Sequence, residues 1–417
     1  MNKFLIIILV HLIVILPFNK MLSQTAELPV KTGIEVLKSN SFDVLKGKRV
    51  GLLTNPTGID AKLRSTIDVF FESPAVDLRA LFGPEHGVRG DFKAGEKVSS
   101  SRDPKTGLPI YSLYGHNKKP GAVMFKDIDV LVYDIQDLGC RSYTYISTMG
   151  LAMEAAAENG IEFIVLDRPN PLGGIRIEGN IAEEALFSLV GAYPIPYVYG
   201  MTCGELASMI NEEAWLKNGV SCDLKVIKMQ GWTRNMTFED TQLPWVPSSP
   251  HIPHAHKAPY YVATGILGEL GVINIGVGYT LPFELFGTPY INPYLMLEKL
   301  NNRFGGEIGF RPIVYKPYYG KQADKLMHGF QLYIDTDTDI SLMSIQFLFL
   351  EVFHDIYPNV DILSLSADRH NMFDKVCGSR KIRELFFKNY SFNMIEKLLT
   401  QDIEPFRNAS MKYYLYD

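Results

Sequence analysis

From Gly47 to about Trp232 the chain repeats one unit: a β-branched apolar run, a polar turn containing glycine, then a helical pattern. The runs are Lys48–Asn55 (KRVGLLTN), Val76–Phe82 (VDLRALF), Ile128–Asp134 (IDVLVYD), Ile161–Asp167 (IEFIVLD) and Leu224–Met229 (LKVIKM). Their apolar residues are near-continuous rather than alternating, which predicts strands with helices on both faces. Helical patterns lie at Leu151–Asn159, closed by Gly160, and at Thr202–Asn218, closed by Gly219. A glycine just past a helix supplies the left-handed residue that ends it. Strands alternating with helices predict an α/β domain with a mostly parallel sheet.

After Trp232 the pattern changes. Leu243–Pro259 carries Pro244, Pro247, Pro250, Pro253 and Pro259, so it forms neither a central strand nor a continuous helix. Beyond this domain junction the sequence predicts a helix starting at Asn292–Pro293 and strands near Phe310–Tyr315 and Gly329–Ile334. Further helices are predicted around Leu342–Ile356 and Met394–Leu399, giving a smaller α+β domain. The expected division is a leader over 1–24, a catalytic α/β domain over 25–240 and an auxiliary domain over 241–417.

The leader rests on Lys3 followed by a mostly apolar stretch from Phe4 to Leu16 and a polar exit, the layout of a secretory signal. It is short for a membrane span, and no later stretch is long and apolar enough to cross a bilayer. An exported, periplasmic protein without a stable span after cleavage is expected. The 417 residues, 47% hydrophobic and 21% charged, suit a folded chain of two or three domains. A net charge of −5 leaves no basic surface for nucleic acid. Cys140, Cys203, Cys222 and Cys377 are scattered core thiols, although Cys203 and Cys222 could pair in an oxidising compartment.

In an open parallel sheet, ligands bind beyond the carboxyl ends of the strands. The turns there read Thr54–Gly58, Gly83–Asp91, Asp134–Tyr145 and Asp167–Gly174, and all four are dense in carboxylates, Arg, Asn and Gly. Turn formers alone would satisfy a structural connection, so this coincidence marks a cleft. Glu85, between Pro84 and His86 in a glycine-bracketed loop, is either a partly desolvated proton donor or a solvated loop residue. His86 either orients it, contacts substrate or is structural. Asp134, Asp137 and Arg141 supply two acids and a cation, with Tyr143 and Tyr145 as platforms. Arg141 either grips a substrate carboxylate or pairs with Asp137. Asp167 and Arg168 precede Pro169-Asn170-Pro171 and are either positioned ligands or a structural pair. Cys140 sits at a strand-to-helix turn without a G-x-S/C-x-G elbow, so a thiol amidohydrolase is a minor alternative. Gly173 and Gly174 form no dinucleotide element. His251, His254 and His256 lack an H-E-x-x-H helix or matching Cys set, so neither cofactor nor metal is expected.

The chain resembles the exo-β-N-acetylmuramidases of the NamZ type. The resemblance rests on GLLTNPTG (Gly51–Gly58), GPEHGVRGDFKAG (Gly83–Gly95), DPKTGLPIYSLYG (Asp103–Gly115), DVLVYDIQDLGCRSYTYIST (Asp129–Thr148), LDRPNPLGGIRIEG (Leu166–Gly179), PFELFG (Pro282–Gly287) and the tail Phe406–Tyr416. It implies a Rossmann-like catalytic domain closed over by a smaller one, and release of N-acetylmuramic acid from the non-reducing end of peptidoglycan fragments. Muropeptides or disaccharides are the implied partners. Glu85 is the implied general acid, with Asp134, Asp137, Glu269 or Glu284 as the second carboxyl group. Arg141, Arg168, Lys257 and Arg89 are candidates for the substrate's carboxylate. Asn55, His86, Gln136, Tyr143, Asp167, Asn170, His251 and Glu284 complete the expected substrate contacts. At Ser249–His254 the family usually has Asn where this chain has His251, and its middle acid and Arg become Ile275 and Val277. A non-catalytic sugar- or muropeptide-binding protein is the main alternative.

Overall fold

A computed structural model describes residues 30–90, 101–115, 117–335 and 338–417; the expected leader, 1–24, and the end of the second motif, 91–95, lie outside the described residues. The first sheet contains β1 (Arg49–Thr54), β2 (Asp77–Gly83), β3 (Ser101–Arg102), β4 (Pro109–Ser112), β5 (Val130–Asp134), β6 (Glu162–Leu166) and β7 (Leu224–Ile227). Their spatial order is β3-β4-β2-β1-β5-β6-β7, parallel throughout except for β3 against β4. Counting the parallel strands alone, the order is the doubly wound one, with its switch point between β1 and β5.

Both faces are covered, as the continuous apolar runs predict. Val50, Leu52, Val130 and Val132 pack on one side with Ile34 and Leu37 of α1 (Gly33–Ser39) and Ile67 and Phe70 of α2 (Thr66–Glu72). Leu53, Leu131 and Tyr133 face the opposite side, with α3 (Tyr145–Asn159) and α4 (Cys203–Glu212). Gly160 ends α3 at φ 65°, as its sequence signal implies. Gly219 does not end α4. Ala214 takes the left-handed position five residues earlier (φ 55°), and Trp215 N–H closes back on Ile210 O at 3.0 Å. The short strand β4, which begins at a proline and lies between β2 and the edge strand β3, is absent from the sequence expectation.

The second sheet is antiparallel, β8 (Leu285–Thr288), β10 (Met327–Ile334) and β9 (Ile308–Tyr315), in the order β8-β10-β9. Helices α5 (Lys257–Gly268), α6 (Pro293–Phe304) and α7 (Leu342–Ile356) cover it, with Phe286, Phe330 and Phe349 in mutual contact. Asn292 caps α6, its Oδ1 accepting from Tyr294 N–H at 3.1 Å, with Pro293 behind it. One continuous apolar core runs from the α3 side of the first sheet to the second. The α/β fold with a smaller α+β unit is therefore the observed one. No helix among the described residues is long and apolar enough to cross a membrane.

Candidate active site

At the switch point Thr54 and Asp134 end neighbouring strands in register, and Thr54 Oγ1 donates to Asp134 O at 2.8 Å. A Cβ on Gly58 would fall 2.1 Å from Thr54 Oγ1 and 2.9 Å from Asp134 O, so only glycine lets the first turn fold back here. The turns after β1, β2 and β5 therefore converge on one crevice.

Glu85 stands on the turn after β2. Gly87 N–H closes the turn on Pro84 O at 3.1 Å, and His86 holds the left-handed position at φ 74°. That conformation costs a non-glycine residue on the order of 1 kcal/mol, and strain of this kind concentrates at functional loops. Glu85 is half-buried. Thr144 Oγ1 donates to its Oε2 in a long bond of 3.4 Å. The Tyr114 hydroxyl lies beside the same carboxyl group; burial and then the Glu85 charge push the phenol up to about 12.

Thr144 also lines a cleft of about 460 Å³ whose walls come from turns and helices flanking both sheets. Ser142 and Thr144 form one side; Tyr261, Gly265 and Glu269 of α5 and the residue beyond it, together with Asn274, Ile275 and Val277, form another; Tyr319, Lys321 and Gln322 of the β9–β10 connection form the rim. His251 joins this rim to the second turn. Its Nε2 lies 2.7 Å from the Tyr319 hydroxyl, the rings stack, and burial followed by the nearby His86 depresses its pKa. Apolar and aromatic walls with a few convergent polar groups suit a small-molecule site of sugar size.

Of the second-carboxyl candidates, Glu269 borders this cleft. Burial raises its pKa against the opposing Arg369 charge, whose Nη2 lies 2.6 Å from Glu269 Oε2. The other three acids are placed elsewhere. Asp134 is fully buried and bound by Arg168 through Nε at 2.6 Å and Nη2 at 3.0 Å. Asp137 Oδ2 accepts from Gly139 N–H at 2.7 Å and from the Tyr199 hydroxyl, while its Oδ1 is buried without a hydrogen-bond partner among the described residues. Burial pushes that carboxyl up to about 6. Glu284 forms a buried ion pair with Lys257.

The cations expected to hold a substrate carboxylate are likewise engaged. Arg141 is wholly buried and pairs with no acid among the described residues. Its Nη1 donates to the carbonyls of Asn180 (2.6 Å) and Ile195 (2.7 Å), and its Nη2 to those of Cys377 (2.8 Å) and Val376 (3.4 Å). Arg89 binds Asp103 and Asp68, which holds Asp103 down at about 2 despite its burial. Arg168 serves Asp134 and the Ile59 carbonyl, and Lys257 serves Glu284.

The remaining expected contacts divide. Tyr143 packs edge-on against Tyr145 and Tyr261, and its hydroxyl meets Ser248 Oγ at 2.7 Å, so it joins the proline-rich loop to α5 beneath the cleft. Asn55 Oδ1 accepts from Thr57 N–H at 3.0 Å, and Gln136 Nε2 donates to the Asp137 and Pro169 carbonyls at 2.9 and 2.7 Å; both shape turns. Asn170 bridges Leu172 N–H and Met201 O, and a Cβ on Gly139 (φ 79°) would collide with it. Asp167 is buried under the carboxyl-terminal tail, bound by the hydroxyls of Tyr416 (2.6 Å) and Thr202 (2.7 Å). Cys203 and Cys222 are free thiols, not a disulfide. Cys140 is fully buried with its thiol pushed up to about 11, which removes the thiolate an amidohydrolase needs. Tyr114, Thr144, Tyr319 and Arg369 were not named from sequence, although Thr144 lies in the turn Asp134–Tyr145 and Tyr114 in the motif Asp103–Gly115 that sequence had marked.

Comparison with known proteins gives matches over nearly the whole chain. The family description "Exo-beta-N-acetylmuramidase NamZ, N-terminal" matches residues 50–256, and its C-terminal counterpart matches residues 259–416. The chain is 44% identical over 396 residues to the peptidoglycan beta-N-acetylmuramidase NamZ of Bacillus subtilis, covering 94% of this chain and 93% of that one. Two crystal structures of DUF1343 family proteins from Bacteroides fragilis superpose closely. One has a TM-score of 0.88 at 50% identity, covering 93% of this chain and 99% of that chain. The other has a TM-score of 0.74 at 30% identity, covering 94% and 99%.

Proposed function

The chain belongs to the NamZ family of exo-β-N-acetylmuramidases and is a glycoside hydrolase of peptidoglycan, and from that premise we propose that Glu85 is its general acid, releasing N-acetylmuramic acid from the non-reducing end of peptidoglycan fragments. The observation that carries this reading is the position of Glu85. It is half-buried on a strained turn at the carboxyl edge of the sheet, within reach of Thr144, which itself lines the sugar-sized cleft. A glycosidic oxygen leaving as an alkoxide needs a proton delivered as the bond breaks, and a carboxylic acid at that edge delivers it. Glu269, across the cleft, is the second carboxyl group of this proposal, since Asp134, Asp137 and Glu284 are engaged or buried away from it. Substrate-binding roles belong to the rim, with Tyr319 and His251 as stacking surfaces for a sugar ring.

Export to the periplasm belongs to the same proposal and rests on the leader pattern of residues 1–24. Amino-terminal sequencing of protein recovered from the cell envelope tests it, and an intact Met1 there argues against cleavage.

The catalytic assignment is tested with Glu85→Gln on a chromogenic N-acetyl-β-muraminide. Glutamine keeps the shape and cannot donate the acidic proton, so kcat falls by roughly 10²–10⁴-fold while the melting temperature stays near the parental one. A folded variant that turns over at the parental rate excludes Glu85 as the acid.

A further inference from the structure

N-acetylmuramic acid differs from N-acetylglucosamine by a lactyl ether that ends in a carboxylate, and binding that charge inside a cleft requires a cation or several amide donors. The four cations nearest to hand in the sequence are engaged, Arg141 with backbone carbonyls and Arg89, Arg168 and Lys257 with buried acids. Two other cations do line the cleft, Arg369, which pairs with the cleft residue Glu269, and Lys321. We infer that Arg369 and Lys321 form an anion subsite that reads the lactyl carboxylate of the substrate; the inference rests on the functional reading above.

Arg369 is held in place for this task. Its Nε donates to the Glu269 carbonyl at 2.9 Å and its Nη2 to Glu269 Oε2 at 2.6 Å. One residue thus grips the guanidinium through both main chain and side chain, and the Nη1 end has no partner among the described residues. A fork fixed in this way loses little freedom when it accepts a carboxylate. Its side chain is 32% exposed, open to the cleft yet partly desolvated.

Lys321 makes no ion pair among the described residues. It sits on the β9–β10 connection, which Gln322 ties down by donating to Gly271 O and Val272 O at 3.1 and 3.2 Å. The two cations form a ridge between the cleft and an adjoining depression of about 310 Å³, where Lys325 and Asp368 stand. Two cations face one carboxylate, Glu269, across the cleft wall, so the wall keeps a net positive charge where a substrate anion would rest. Val190, Ile273, Ile275 and Val277 add apolar lining to the same cleft.

The test uses a 4-nitrophenyl N-acetyl-β-muraminide and its lactyl methyl ester, the same sugar with the charge removed, assayed on the full-length parent, Lys321→Gln and Arg369→Gln. The parent is expected to favour the acid over the ester by roughly 100-fold in kcat/KM, the discrimination of a well-placed charge-assisted bond. Arg369→Gln brings that ratio to within about threefold; because Arg369 also holds Glu269, its turnover of acid and ester falls together and the ratio alone is read. Lys321→Gln lowers the ratio by roughly tenfold, chiefly through KM for the acid. Lys321 is exposed, so its variant decides the matter if Arg369→Gln fails to fold. A parent that cleaves the acid, with an acid-to-ester ratio unchanged in the folded variants, overturns the subsite alone. A folded parent that cleaves neither substrate overturns the functional reading and the subsite with it.

Discussion

Thr144 occupies the N-cap of α3, yet its hydroxyl caps nothing and donates instead to Glu85 at 3.4 Å. Threonine at this position ordinarily satisfies a free amide of the first turn. Thr202, at the same place on α4, does so: its Oγ1 accepts from Glu205 N–H, and the Glu205 carboxylate returns the bond. The diverted Thr144 side chain couples the turn after β5 to the turn after β2, and the amino end of a 15-residue helix lies beside the Glu85 carboxyl group. That end carries a partial positive charge.

The diversion gives a variant with an unusual signature. Losing a capping threonine costs about 0.5–2 kcal/mol, whereas Thr144→Ala has no cap to lose and should change unfolding free energy by less than about 0.5 kcal/mol. Its kcat/KM should fall roughly 3–10-fold, the loss of one weak bond to the acid. Urea titration and steady-state kinetics on the same preparation separate the two effects. A large stability loss with intact kinetics would mean that Thr144 serves the helix and not Glu85.

Asp137 is expected to be a stability determinant with a pH signature. Its folded carboxyl holds a proton up to about pH 6 because burial outweighs its hydrogen bonds, against an ordinary value of 3.8. The folded state therefore binds the proton more tightly than the unfolded chain does. Stability from this group is full below about pH 4 and is lost as pH rises through 6, by roughly 3 kcal/mol in all. Asp137→Asn removes the ionisation and should flatten that part of the pH–stability curve, making the variant more stable than the parent at pH 8. Its activity on the muraminide should stay within about threefold of the parent, and a collapse of kcat would return Asp137 to the catalytic set.

Arg141 joins the first domain to the end of the helix His370–Cys377, four carbonyls on one side chain. Arg141→Met strands those acceptors in a dry site and should destabilise the fold by about 3 kcal/mol or more. The fraction that remains folded should keep its KM, because the guanidinium is sealed behind the cleft wall, bonded to Val376 O, and is not itself among the lining residues. A rise in KM without loss of stability would assign Arg141 to the substrate after all.

The strands and the crevice were legible because both depend on local pattern. Continuous apolar runs mark covered strands wherever they fall, and Glu85 stood out because glycines bracket it at the end of one. The partners of the cations were not legible. Arg89, Arg141, Arg168 and Lys257 each find their acceptors through chain segments that nothing local foretells, and Arg141 reaches across 236 positions to Cys377. Tyr319 reaches the cleft on the connection between two strands of the second sheet and Arg369 on a helical turn held by Glu269, and no spacing in the sequence ties either to Glu85. Ala214 ended α4 ahead of Gly219 because a 6→1 closure on Ile210 was available first. A glycine marks where a helix can stop, not where packing makes it stop.

The carboxyl-terminal tail offers a sharper pH test than Asp137, because here one hydroxyl can be deleted. Tyr416 Oη donates to Asp167 Oδ2 at 2.6 Å and accepts from Met229 N–H at 2.9 Å, with its ring edge-on to Trp232. Burial pushes Asp167 up to about 6, and the tyrosine bond works against that rise. Tyr416→Phe keeps the ring and removes the donor that favours the charged carboxylate. Below about pH 4 the carboxyl is protonated in both folded and unfolded chains, so the variant should lose only an ordinary hydrogen bond, about 1 kcal/mol. Above pH 6 the parent must bury a carboxylate that Tyr416 helps to hold. The variant's folded-state pKa lies higher still, so its deficit should grow as pH rises through 6 and approach roughly 2–3 kcal/mol. Denaturant titrations at pH 4.5 and 8.0 measure the difference, and a deficit equal at both values would show that the tail stabilises through its ring alone.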